Sequence, residues 1–412
     1  MKIVKTSRLK IWIFSLLSAA LMLVLTFYWL SRPYTFGDEA ALIRWSALFK
    51  KSVLQIDPKP DPEEVLFVDV SGIKTTIDGV NTFGEPSPYY REVITDRTHL
   101  AAFFRLLNRF REDVRFVVCD ILFDKATPAD LLLQQQLDSL DDRLLAVSHL
   151  ASETEHLTPV LDIPYAPATY QASDGMFLKY PLLLCDSLKT APVVLCERLH
   201  GRHFKKGSGF FHYFDQHRCL PNPIIDFKVR PGDFRVGVTP GESVFTVFDI
   251  GTILESQDFM TKEDLAAYFS NRVIVIGDFE TDIHETSFGE MPGPLILYNA
   301  YLTLAAGEHL LSPVWVILLF AGYFFLSYRI LAEVDIHTPA WMAPLFRSRM
   351  GRLVLNTLDE IVILAGMTIL SYMLFHIHIN ILIFLLFAKG MEIIWRKWPF
   401  WSGGSPAKKC SR

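Results

Sequence analysis

Much of what would make an enzyme easy to recognise is missing from this 412-residue chain. It holds no Walker loop, no G-x-G-x-x-G, no G-x-S-x-G, no H-E-x-x-H and no C-x-x-C. The phosphate cradle, activated serine and paired metal ligands that those spacings build are therefore absent as motifs. Basic residues are not in excess either: 40 Lys and Arg stand against 45 Asp and Glu, a formal net charge of −5. Nothing in that balance suggests a nucleic-acid partner, which would require a basic face. Cysteine is scarce, with five in all. Cys119 lies within an apolar run and reads as a small buried hydrophobe. Cys185, Cys196 and Cys219 are an odd number, so their pairing stays open even where disulfides are permitted. No internal repeat or low-complexity tract is evident.

Hydrophobicity, by contrast, is abundant and uneven. Half the residues are apolar, mean hydropathy is +0.26, and the excess gathers at the two ends. "IWIFSLLSAALMLVLTFYWL" (11–30) carries no charge and is long enough for a hydrocarbon core of about 30 Å. Lys2, Lys5, Arg8 and Lys10 precede it, so residues 1–10 are expected in the cytoplasm. A cleaved signal peptide is the rival reading, but its apolar region is usually about 7–15 residues before a small-residue site. An uncleaved anchor is expected instead.

A second span is expected at 310–328, with Ser312 as N-cap and Pro313 in the first turn. Residues 329–360, with Arg329, Arg347, Arg349 and Arg352, read as a cytoplasmic loop. Two further spans follow at 361–377 and 379–395. A single helix across both would run about 50 Å, too long for one crossing, and His376, His378 and Asn380 mark a turn. Four spans return Arg396, Lys397, Lys408 and Lys409 (within 396–412) to the cytoplasm, whereas three would not. The expected location is the plasma (inner) membrane, multi-pass, with 31–309 as a large periplasmic or extracellular domain. Lys389 and Glu392 in the last span read as an i,i+3 pair near the cytoplasmic interface, with functional intramembrane charge as the alternative.

Within 31–309, short β-branched runs alternate with helical patterns. "VLFVDV" (65–70), "VRFVVCDILF" (114–123), "RLLAVSHL" (143–150), "SVFTVFDI" (243–250) and "RVIVIGDF" (272–279) read as strands. Helices are expected after Asp96 as cap, after Thr127 and Pro128, over "TKEDLAAYFS", and over "LILYNAYLTLAAG", where Gly307 closes the last. The stretch between residues 71 and 95 reads as a polar loop, and 151–241 is less regular. Strand–helix alternation at this spacing predicts an α/β extracytoplasmic domain with a mostly parallel sheet. The remainder is an all-α transmembrane part with one N-terminal and about three C-terminal helices.

Asp69, Asp120 and Asp278 fall at or near strand C-termini, the edge where open α/β sheets bind ligands. Asp124, Asp130, Asp282, His284 and Glu285 lie in segments that can reach it. A shared acidic pocket would suit a divalent cation or a cationic or hydroxylated ligand. Equally, such carboxylates cap helices and tie turns. Asp282, His284 and Glu285 resemble a metal-ligand fragment, yet no second ligand pair accompanies them. Cys196, His200, His203, His212, His217 and Cys219 match no zinc-finger spacing and read as an exposed loop around Gly-Ser-Gly. No metal and no cofactor is expected.

Four stretches, in order, resemble the type-two CHASE domain, a sensory extracellular module associated with cyclases and histidine kinases. They are "VLFVDV"; "DRTHLAAFFRLL" with "RFVVCDILFDKATPAD"; "DGMFLKYPLLL" with "APVVLCERL"; and "VIVIGDFETDIHETSFGEMPGPLILYNAYLTLAAG". Together they cover about residues 40–312. Lys179 stands where the family usually has Arg, and Asp278 where it has a small residue. The resemblance implies a ligand-binding set of Asp69, Arg97, Asp120, Asp124, Asp282 and Thr286, and a transmitting loop and helix containing Pro292, Gly293 and Asn299. It also implies several membrane helices after the domain. The tail "PFWSGGSPAKKCSR" is too short for a kinase or cyclase, so output is expected on a separate cytoplasmic partner. The outer partner is then an unidentified ligand or envelope protein, and a homodimer is compatible. A non-sensing assembly subunit of an envelope complex is the other class, with an enzyme using the acidic edge behind both.

Overall fold

The computed structural model describes residues 8–35, 37–80, 86–149, 158–168, 175–185, 187–235, 244–332 and 349–397. The chain divides into two compact units: a helical unit of Met1–Leu54, Lys206–Asn222 and His309–Arg412, and a sheet unit of Gln55–Lys205 and Pro223–Glu308. The backbone therefore passes between them four times.

Along the chain, helices α1 (Arg8–Leu30) and α2 (Gly37–Leu48) come first, followed by a π-helical turn at Phe49–Val53. Strand β1 (Val65–Asp69), the ribbon β2 (Lys74–Val80) and β3 (Pro86–Thr95), α3 (Arg97–Asn108), β4 (Phe116–Asp120), α4 (Asp130–Leu137), β5 (Leu144–Ser148) and β6 (Tyr165–Pro167) follow. Then come β7 (Met176–Phe177), β8 (Leu183–Leu184), β9 (Leu188–Lys189), α5 (Ala191–His200), β10 (Phe204–Lys205), β11 (His212–Phe214) and β12 (His217–Cys219). The sheet unit closes with β13 (Val247–Asp249), α6 (Ile250–Ser256), α7 (Lys262–Phe269), β14 (Val273–Gly277), β15 (Ile283–Thr286), β16 (Gly289–Pro292) and α8 (Gly293–Ala305). The C-terminal helices are α9 (Pro313–Leu331), α10 (Arg349–Phe375) and α11 (Ile381–Lys397).

The main sheet runs β13-β1-β14-β4-β5-β6 and every pairing in it is parallel. Its central strands are near-continuous Val, Ile, Leu and Phe because both faces are covered. Leu66, Val68, Val117 and Ile274 face Leu100 and Phe104 of α3, Leu133 of α4 and Leu265 of α7. The alternate residues face the other way, where α5 and α8 lie and Phe67 meets Tyr298 edge to face at 5.4 Å. Asp96 caps α3 through the Thr98 N–H at 2.7 Å, and Gly307, at φ +74, closes α8 as expected.

Several expectations shift. Helix α4 starts two residues later than Pro128, because the Thr127 hydroxyl and N–H both bond the Asp130 carboxylate at 2.7 and 2.8 Å. The strand expected at 243–250 shortens to Val247–Asp249 because Asp249 leaves it to cap α6. The supposed polar loop before α3 is the β2–β3 ribbon, with a bulge between Asp78 and Gly79. Its β-branched residues were legible, but a ribbon wetted on both sides lacks the apolar alternation that marks a strand.

In the helical unit, Trp12 lies against Tyr328 and Phe27 against Trp315, so α1 and α9 are antiparallel. Trp315 Nε1 donates to Ser371 Oγ at 2.7 Å, and Tyr323 stacks on Phe384. Phe14 meets Trp395. These pairs set α1, α9, α10 and α11 up, down, up and down. Among the described residues, α1 and α9 are long and apolar enough to cross a membrane, while the apolar part of α10 is the shorter Glu360–Phe375. Helix α10 begins at Arg349, well inside the expected loop, since no proline interrupts 349–375. The turn sits at His376–Asn380 as expected. Lys389 bonds Glu392 at 3.1 Å and also Glu360 at 3.0 Å, tying α11 to α10. Residues 206–222, expected within the outer domain, instead pack with the helices: Asn222 Nδ2 donates to the Ser31 carbonyl at 2.8 Å, and Phe211 meets Phe27.

Candidate functional site

Parallel register sets one level along the C-terminal edge of the main sheet. Asp249, Asp69, Gly277 and Asp120 occupy it on four neighbouring strands. At this edge the connections part: β4 leads to α4 on one face, while β14 leads through β15 and β16 to α8 on the other. That divergence between adjacent strands is the topological switch point at which open α/β sheets bind ligands.

On one side of the switch the carboxylates are fully engaged. Asp69, buried, accepts from the Ser71 N–H at 3.0 Å, the Ser71 hydroxyl at 2.6 Å and the Phe279 N–H at 2.9 Å. Asp249 accepts the Thr252 N–H at 2.8 Å as the α6 cap. Asp278 accepts the Lys74 ammonium at 2.6 Å and the Glu280 and Thr281 N–H groups. Burial opposes its ionisation, but these donors overcome it and hold the carboxyl at about 2. Three of the acids thus serve the turns they sit in.

The other side differs. Gly277 has no side chain because there is no room for one: a Cβ would lie 2.3 Å from Pro294 Cγ and 3.3 Å from Asp120 Cβ. This closeness brings the first turn of α8 against the edge. The Asp282 carbonyl accepts the Gly293 N–H at 2.8 Å. A Cβ on Gly293 would meet Asp282 Oδ2 at 2.0 Å, so the carboxylate lies across that first turn. Unpaired N–H groups and the positive end of the helix dipole favour an anion there.

Burial, then the charge of Asp282, pushes Asp120 up to about 7. His149, the residue after β5, is shifted down, chiefly by burial; His284 adds to this, and Asp282 and Asp124 oppose it. His284 Nε2 lies 2.9 Å from Asp282 Oδ1, and its ring meets Phe177 edge to face at 4.7 Å. Asp120, Asp124, Asp282, His149 and His284 therefore form one electrostatically coupled group at the switch point. It offers oxygen and imidazole donors, and within it the Asp120 carboxyl can exchange a proton near neutrality.

Of the residues expected to bind, Asp120, Asp124 and Asp282 come together here. Asp69 does not, being spent on backbone donors. Arg97 is buried; its guanidinium donates to Asp130 at 2.6 Å and the Lys125 carbonyl at 2.8 Å, and lies over the Phe123 ring. It positions the loop that carries Asp124. Thr286 is buried in the β15–β16 turn, its hydroxyl donating to the Gly289 carbonyl at 2.7 Å.

Pro292 ends β16 and is the N-cap residue of α8, and Gly293 is the contact with Asp282. Asn299 is fully buried on α8. Its amide donates to the Val229 carbonyl at 2.7 Å and accepts the Val229 N–H at 2.9 Å, completing the hydrogen bonds of an irregular strand-like segment.

His149 was missed. Its signal was position alone, one residue past a parallel strand. The period of two along β15 explains the Asp282–His284–Glu285 fragment: Asp282 and His284 share a side, and Glu285 points away. Of the His and Cys residues around Gly-Ser-Gly, His200 and His212 have different partners. His200 bonds the Tyr301 hydroxyl at 2.9 Å, and His212 Nδ1 accepts the Gly207 N–H at 3.2 Å. No family model, no curated protein and no solved structure matches this chain.

Proposed function

We propose that this chain is a multi-pass protein of the plasma (inner) membrane that senses a cationic or hydroxylated ligand with its outward α/β module. The ligand binds in the crevice between the ends of β4 and β14, and binding biases the membrane helices, which pass the signal to a partner. The observation that carries this reading is the coupled group of Asp120, Asp124, His149, Asp282 and His284 at the switch point. The likeness of four stretches to the type-two CHASE domain supports a sensory role. Four membrane crossings are supported by the alternating directions of α1, α9, α10 and α11. The route is short: α8 carries Gly293 at the crevice and is followed within eight residues by α9.

All eight tryptophans lie outside Gln55–Lys205 and Pro223–Glu308, so tryptophan emission reports the helical unit alone. The full chain in lipid nanodiscs is titrated with divalent cations, polyamines and sugars. Hydrogen exchange reads β4 and the 121–130 loop, and tryptophan emission is followed in parallel. A ligand should protect β4 and shift the emission, and Asp120→Asn with Asp282→Asn should abolish both. Protection without an emission shift rejects transmission. Lack of protection by any compound, with co-purification of an envelope protein, favours the assembly-subunit class instead.

One observation favours a second reading. A carboxyl raised to about 7 and a histidine shifted down, both acted on by Asp282, are the kind of split that acid–base catalysis uses. A hydrolytic activity lost in Asp120→Asn would support it.

A further inference from the structure

Helix α2 and the π-turn after it bury one side and expose large apolar residues on the other. One side is buried: Ala40, Ile43, Ser46, Ala47 and Lys50 are each at most 3% exposed. The other carries Trp45 at 71%, Phe49 at 46% and Val53 at 63% exposure, spaced i, i+4, i+8. Both ends of this segment are fixed to the same end of the helical unit. Near its start, Glu39 Oε2 accepts from Trp29 Nε1 at 3.2 Å, one residue before α1 ends. Near its finish, Lys50 Nζ lies 2.6 Å from His376 Nε2, in the turn between α10 and α11. The eleven residue steps from Glu39 to Lys50 span about 17 Å of helix at 1.5 Å each. The segment thus runs across the end of the bundle rather than along it. Tyr28 and Tyr34, both exposed, flank the same end, with Arg32 over the Tyr28 ring at 4.4 Å.

We infer that α2 and the π-turn form an in-plane helix at the outer membrane surface, with Trp45, Phe49 and Val53 seated at the boundary of headgroups and acyl chains. This rests on the reading of α1 as a membrane span. Three features commit the stripe to lipid. Its helix is tied through Glu39 to Trp29 at the end of the apolar α1; its Trp45 is of a type enriched at membrane interfaces; and its other face is already occupied by α10 and α11. A helix buried on one side by protein and apolar on the other matches an interfacial anchor about 5–10 Å deep.

The test is nitroxide accessibility in the full chain, reconstituted in vesicles of phosphatidylethanolamine and phosphatidylglycerol. Cys185→Ser and Cys410→Ser supply the background. Labels are placed at Trp45→Cys, at Ser52→Cys in case the first disturbs folding, and at Leu21→Cys within α1. The inference expects the label at 45 to collide several-fold more often with dissolved oxygen than with a water-soluble nickel chelate, as at 21. If 21 shows that preference while 45 and 52 favour the chelate, the anchor is rejected and the span stands. Protection of 45 from both reagents rejects lipid in favour of a protein partner. Chelate preference at all three sites rejects the span and the anchor together.

Discussion

Two halves of one sheet edge carry the same residue type at the same level and use it oppositely. On the β1 side, Asp69, Asp249 and Asp278 are saturated by backbone and lysine donors. On the β4 side, the charge of Asp282 acts on Asp120 and on His149, and Asp282 lies against His284. A carboxylate with its donors supplied lowers the free energy of its own turn. One held near another carboxylate, against a helix N-terminus, retains capacity for a proton, a cation or a ligand. Strand-end position is common to both halves, so position alone does not mark the site; satisfaction of the carboxylate does.

The sharpest way to break this contrast is Asp69→Ala. It removes the acceptor of three hydrogen bonds at a buried position, and orphaned donors should cost about 3 kcal/mol. Hydrogen exchange at β1 and β14 amides should accelerate accordingly, with ligand protection of β4 otherwise retained. If Asp69→Ala left exchange unchanged but removed ligand protection, the two halves would have to exchange roles.

Asp120→Asn should act in the opposite direction. The carboxyl binds its proton more tightly in the fold (about 7) than in the unfolded chain (about 3.9). Between those values the folded state holds more protons, so stability falls as pH rises. The penalty is absent below about pH 4 and full above about 7. The amide removes it, so the variant should gain on the order of 2 kcal/mol at pH 8 and nothing at pH 4. Equal stability at pH 8 would show that Asp120 is as satisfied as its neighbours.

Asp278→Asn sets the contrast at lower energy. Its folded carboxyl is held at about 2, below the unfolded value of about 3.9. The stabilisation is therefore present above about pH 4 and is lost as pH falls toward 2. Because Lys74 is partly exposed, the loss in the variant at pH 7 should be about 1 kcal/mol. The difference from the parent should shrink on acidification.

The sequence made much of the sheet legible. β-branched runs such as Val65–Asp69 and Val273–Gly277, and the Asp96 cap, are local signals that the fold kept. The ribbon β2–β3 was not legible, because its pattern lacks a buried face. Nor was the retention of 206–222 by the helices, which depends on contacts such as Asn222 to Ser31 across long separation. At the candidate site, Asp120, Asp124 and Asp282 could be named from strand ends. Their separation from Asp69 could not, since it turns on the Phe279 N–H reaching the Asp69 carboxylate while burial and the charge of Asp282 act on Asp120. His149 lay just past a strand end, where sequence offers no cue beyond that place.

The smallest effect tests whether the coupled half works as one group. Burial, then the charge of His284, shifts the His149 imidazole down, against the pull of Asp282 and Asp124. A base with a lowered folded value binds fewer protons in the fold than when unfolded. Its penalty therefore appears as pH falls below about 6.5, and is absent above it. His149→Gln should be neutral at pH 8 and gain less than about 1 kcal/mol at pH 5. Asp120 and His149 thus penalise the fold at opposite ends of the pH range. If they share Asp282, the gain from His149→Gln should change in an Asp282→Asn background, since that variant removes the charge opposing the shift. Additivity between His149→Gln and Asp282→Asn at pH 5 would mean two independent groups beside one crevice, and the distinction between the halves would narrow to Asp120 alone.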